Sequence, residues 1–147
     1  MIPPGPWPVV SPRKEFDMLE KQFQFSRFLG QLFTWMTEKN YTWVVGDCWR
    51  NTDKLACSHC GREHSYQELL VYNKRSKTLK SKHADRLAMD ITIFKDGHPQ
   101  WSGEAYREVG EKWESLTQGL GRWGGRFGLT PDQYEKAVGW DPSHVEL

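Results

Sequence analysis

At 147 residues the chain has the length of one domain, enough to bury a substantial core without help from disulfides. Its formal charge of +1 leaves no domain-wide basic excess for nucleic acid, and its three cysteines are an odd count that argues against a disulfide framework. No apolar run reaches the roughly 18 residues of a membrane span, and MIPPGPWPVV lacks the basic start and long apolar core of a secretory signal. The expectation is therefore a monomer made in the cytoplasm, with no stable membrane association, which would need a separate route to act outside the cell.

Residues 1–13 are proline-rich without an apolar period, which predicts an extended arm before a single domain over 14–147. From Arg13 to Asn40, Phe16, Leu19, Phe23, Leu29, Leu32, Phe33 and Met36 recur at helical steps and predict an amphipathic helix lying on a sheet. Tyr41–Val45 is β-branched and aromatic and reads as a strand. It leads to Arg50, whose planar guanidinium is suited to bidentate contact with a carboxylate; an ordinary surface arginine is the alternative. The eight tryptophans are expected mainly in the core, with the wall of a binding groove as the alternative.

Residues 51–82 are polar and irregular and predict a loop with free thiols. The alternative is a small metal knuckle formed by Cys48, Cys57, Cys60 and His64, since Cys57-x-x-Cys60 has ligand spacing. One such pair is a weak signal, so a single metal ion per chain is expected. The cationic run Lys74, Arg75, Lys77, Lys80 and Lys82 reads as a solvated face.

Asp90 opens the apolar strand Ile91–Phe94, and Asp96-Gly97 predicts a hairpin turn after it. Glu104–Thr117 has helical spacing, with Gly119 as its stop. Residues 121–127 are too glycine-rich for a helix. Thr130-Pro131-Asp132-Gln133 carries capping-box and first-turn proline signals, predicting a short helix that ends near Gly139. The chain closes on a strand-like His144-Val145-Glu146-Leu147.

An aspartate inside an apolar strand is costly unless it is partnered, which makes Asp90 the most informative position. With His83 seven residues before it and His144 near the C-terminus, it supplies a three-ligand set suited to Zn²⁺ with one position left for water. A hydrolase built on such a centre needs an acid to move protons. Asp141 is the first choice and Glu146 the second, while Arg50 is placed to stabilise an oxyanion or hold a substrate carboxylate. His59, His64 and His98 have loop-like surroundings and are expected to stand apart.

Ser81-x-His83, six residues, then Asp90, with a late Asp141-x-x-His144, resembles the zinc D-Ala-D-Ala carboxypeptidases and L-alanyl-D-glutamate endopeptidases, the Hedgehog-like peptidase fold of many phage endolysins. Thr37–Tyr41, Trp49-Arg50, Arg86–Ile91, Phe94–Gly97, Gly110–Trp113 and Arg122–Gly125 are similar to a phage-encoded subgroup, in order, over roughly residues 20–147. The resemblance implies an α+β fold in which a small antiparallel sheet carries the metal and helices pack against it. It also implies zinc on His83, Asp90 and His144, Asp141 as catalytic acid/base, Arg50 near the scissile carbonyl, and a peptidoglycan stem peptide as substrate. An inactive zinc-containing wall-binding or virion module is the alternative. Arg126 stands where the subgroup usually has an acidic residue, which predicts altered groove electrostatics.

Overall fold

The computed structural model describes residues 12–46, 54–56, 60–65, 68, 81–83 and 85–147. The arm over 1–11, Cys48, Arg50, Cys57, His59 and the cationic run up to Lys80 lie outside these residues. The helix α1 spans Pro12–Glu38, so the arm predicted to reach residue 13 gives way to helix at Pro12, where a first-turn proline is tolerated. Its buried stripe is Phe25, Leu29, Leu32 and Met36. Phe25 was not among the expected core residues, whereas Leu19 and Phe23, which were, are about half exposed at 46% and 50%. The predicted period was helical but rotated towards the wrong face at the N-terminal half.

Five strands form the sheet that matters for the site. β1 (Thr42–Val45) pairs with β4 (Ala88–Lys95), and β4 pairs in turn with β7 (His144–Glu146), which pairs with β6 (Arg122–Trp123), all antiparallel. β5 (His98–Pro99) returns on β4 through the Asp96-Gly97 turn, where both residues have positive φ (51° and 78°) as a two-residue hairpin requires. The segment expected to be an irregular loop instead contains a separate hairpin, β2 (Lys54–Ala56) and β3 (Glu63–Ser65).

The predicted helix over 104–117 is divided into a 3₁₀ turn, Gly103–Tyr106, and α2 (Arg107–Leu116). Tyr106 is the reason for the join: its hydroxyl donates to the Gln100 carbonyl at 2.9 Å and accepts from Ile93 N–H at 3.3 Å, fixing the helix start against β4. α2 packs on α1 through Trp113, which meets Phe25 edge-on at 5.6 Å. Gly110 sits flush against the Trp123 indole, where any Cβ would clash with the ring. Tyr41 Oη donates to Glu108 at 2.5 Å and ties the start of β1 to α2.

The capping box at Thr130–Gln133 forms, yet the helix does not extend to Gly139; only a 3₁₀ turn, Pro131–Gln133, follows. A helix this short is marginal by itself. Here the chain is drawn back instead: Gly139 N–H bonds Gly125 O at 2.5 Å and Asp141 N–H bonds Gly124 O at 3.3 Å. Those two bonds deliver Asp141 and the residues after it to the sheet.

Candidate metal centre

β4 and β7 place two of the expected ligands in one register pair, Asp90 opposite His144. Their frame is well pinned. Ile91 N–H bonds Ser143 O at 2.9 Å, Gly46 N–H bonds Asp90 O at 2.7 Å, and Leu147 N–H bonds Leu87 O at 2.8 Å. Two buried tryptophans hold the same segment from behind, as Trp113 Nε1 donates to Glu146 O at 3.1 Å and Trp123 Nε1 to Pro142 O at 2.7 Å. Each satisfies an indole N–H that would otherwise cost on the order of 1–3 kcal/mol to bury. His83 reaches the pair from a turn in which its own backbone N–H is capped by Ser81 Oγ at 3.2 Å.

The donor atoms then converge. His83 Nε2 lies 3.2 Å from His144 Nδ1, His144 Nδ1 lies 3.2 Å from Asp90 Oδ1, and His83 Nε2 lies 3.4 Å from Asp90 Oδ1. Ligands about 2.0 Å from a tetrahedral ion stand about 3.3 Å from one another, so these three edges match one face of a zinc-type coordination shell. His83 and His144 are buried and Asp90 is partly exposed. The group can hold a metal ion.

Electrostatics point the same way. Burial alone would push Asp90 up, but hydrogen bonds to His144 and His83 and their charge outweigh it and hold its carboxyl well below the usual carboxylate range. Burial would likewise push His144 down. Its hydrogen bonds to Asp90 and Glu146, with the charges of Asp141 and Asp90, overcome that and raise it to about 9. Glu146 is lowered, its burial outweighed by His144, Arg122 and Lys82. In the absence of a metal the cluster therefore holds a proton on His144 between carboxylates.

Of the sequence candidates, His83, Asp90 and His144 come together, and Asp141 joins them at the edge, with Oδ2 3.8 Å from His144 Nδ1 and its side chain about one third exposed. Glu146, two residues on along β7, meets His144 on the same side of the strand. Its Oε2 lies 2.8 Å from His144 Nε2, on the far nitrogen of the ring from the donor group. Glu146 thus orients the His144 ring. Arg50 lies outside the described residues. Arg126 pairs with Glu114 at 3.0 Å and lies over Trp123 and Tyr134. The sequence reading also missed an aromatic flank: Phe127 packs on His144 at 5.5 Å and on the half-exposed Trp140 at 5.3 Å. The adjacency of Trp140 to Asp141 was its one visible signal.

With this geometry in view, known structures supply a comparison. The chain shares the fold of a peptidase. Its structure is similar to that of the L-Ala D-Glu endopeptidase ChiX of Serratia marcescens, with a TM-score of 0.59, 16% identity, and 94% of this chain aligned to 88% of that one. No family model and no curated protein matches the chain by sequence.

Proposed function

We propose that the protein is a zinc peptidase of the endolysin type that hydrolyses the L-Ala–D-Glu bond of peptidoglycan stem peptides. The observation that carries the reading is the convergence of His83 Nε2, Asp90 Oδ1 and His144 Nδ1 at tetrahedral ligand spacing with Asp141 beside them. The peptidase fold of ChiX and the sequence blocks around these residues support it. When bound, zinc supplies Lewis acidity towards water and the scissile carbonyl.

The chain's own residues do the rest. Asp141, charged and at the solvent side of the donor group, accepts a proton as water attacks the carbonyl carbon and returns it to the nitrogen as the C–N bond breaks. Asp90, kept ionised by its histidine partners, would supply the negative charge of the donor group. Phe127 and Trp140 form an apolar wall on the His144 side. Arg50 is assigned to the scissile carbonyl on sequence resemblance.

Clearance of purified peptidoglycan by the wild-type chain and by Asp141→Asn, both shown to carry metal, tests the mechanism. The variant is expected to keep its metal and lose on the order of 10²–10⁴ in rate, the usual worth of a positioned acid/base. Equal clearance removes Asp141, and no clearance by either favours a wall-binding module. Mass spectrometry of the products decides the bond: L-Ala–D-Glu cleavage frees a peptide with an N-terminal D-Glu, whereas loss of terminal D-Ala points to carboxypeptidase activity.

A further inference from the structure

Side chains alternate between the two faces of a sheet, so the register fixes which residues share the face of the metal centre. Asp90 stands opposite His144, and Glu146, two residues on, stands between Ala88 and Arg122. Asp90, His144, Glu146 and Arg122 therefore project to one side. Met89, Val145 and Trp123 take the other side, the last two as buried core.

The Arg122 guanidinium is held in place and still accessible. Its Cζ lies 4.7 Å over the Phe127 ring, which in turn packs on His144. A cation over an aromatic face is attracted by the ring quadrupole, which restrains an otherwise mobile side chain. Arg122 Nη1 stands 3.4 Å from Glu146 Oε1, a looser contact than the 2.8 Å bond from Glu146 Oε2 to His144. The arginine side chain nevertheless remains 68% exposed. Lys82, exposed in the turn that carries His83, sets a second positive charge against the same carboxylate. Two cations thus face one buried acid whose charge is already shared with His144.

We propose that Arg122, assisted by Lys82, forms an anion subsite beside the metal centre that binds a free carboxylate of the substrate peptide. This rests on the peptidase reading above and names what its substrate must carry. A glutamate whose amino group forms the scissile bond has two carboxyl groups, and chain continuation uses only one. A free carboxylate therefore stands within one residue of the scissile nitrogen. The planar fork of arginine can donate two parallel hydrogen bonds to such a group, which neither lysine nor glutamine reproduces. Arg122 determines specificity, and proton transfer stays with Asp141.

The test pairs two synthetic peptides with the same L-Ala–D-Glu bond, one with the glutamate carboxylate free and one with it amidated. Calorimetry measures the binding of each to zinc-loaded Asp141→Asn chain, with Arg122 intact or replaced by Gln or Lys. The free acid is expected to bind about 10–100-fold more tightly than the amide, the worth of a hydrogen bond to a charged group. Arg122→Gln should remove most of that preference and Arg122→Lys should keep part of it. With Asp141 present, the preference should appear in KM, with kcat little changed. Any effect of the substitution on the metal through Glu146 falls on both peptides alike and cancels in their ratio. Equal affinity for the two peptides overturns the subsite, as does failure to bind either or a preference unaltered in Arg122→Gln. A preference without hydrolysis by the wild type keeps the subsite and removes the peptidase reading, and hydrolysis of both peptides alike does the reverse.

Discussion

Glu146 illustrates how little a strand position says about a role. Two residues after His144, it was a reasonable second choice for the acid that moves protons, and it is a buried carboxylate at 7% exposure. Its contacts give it another role: Oε2 is bonded to His144 Nε2, and Oε1 is 3.4 Å from Arg122 Nη1. Once the second proton leaves, the carboxylate keeps the remaining one on Nε2 and leaves Nδ1 facing His83 and Asp90. Glu146→Ala leaves that N–H buried without an acceptor, and metal affinity measured against a competing chelator is expected to fall about 10–100-fold. Glu146→Gln retains an acceptor oxygen and should fall less. Unchanged affinity in Glu146→Ala would show that burial alone orients His144. The convergence on Asp90 was legible because an ionisable group in an apolar strand is costly and calls for partners. Which ring nitrogen each histidine presents was not, because that depends on neighbours far away in the chain.

At the scale of elements, the long periodic segments were readable and the short irregular ones were not. α1, β4 and α2 carry enough side chains for their period to show, although α1 was rotated because Leu19 and Phe23 mimic its buried stripe. The 130–139 segment had correct cap chemistry but lost its helix to bonds made by Gly124 and Gly125, which no local pattern encodes. Gly124 is the tighter constraint. A Cβ there would clash with the Asp141 carbonyl and stand 2.9 Å from His144 Cβ, so backbone must move. Gly124→Ala is expected to cost about 1–3 kcal/mol, seen as a fall in Tm, and to weaken metal binding as Asp141 and His144 shift. Gly30→Ala in α1 is the control, since nothing lies within 4 Å of the added atom. It should raise stability by about 0.5–1 kcal/mol through helix propensity and leave metal affinity alone. Gly124→Ala with unaltered Tm and metal affinity would mean the close approach is easily relieved.

At the scale of the whole molecule, the centre joins parts of the chain that are distant in sequence, with His83 and His144 separated by 61 positions. The fold therefore depends on how that junction is charged. Without metal, His144 is raised from 6.5 to about 9, so the proton it holds stabilises the fold fully below pH 6.5, and that contribution is lost as pH rises through about 9. Asp90 and Glu146 are lowered, so their contribution is present above the ordinary carboxylate range and lost as pH falls below it. The stripped protein should therefore be most stable in mildly acidic solution and lose stability from pH 6.5 to 9. The metal-loaded protein should behave oppositely across that window, because a metal needs the deprotonated imidazole and binds more tightly as the competing proton leaves. Thermal unfolding isolates the effect when stripped and metal-loaded samples are compared at each pH. Groups remote from the centre cancel in the difference. The gap in Tm should widen from pH 6.5 to 9, and a gap that stays constant or narrows would show that no proton on His144 opposes the metal.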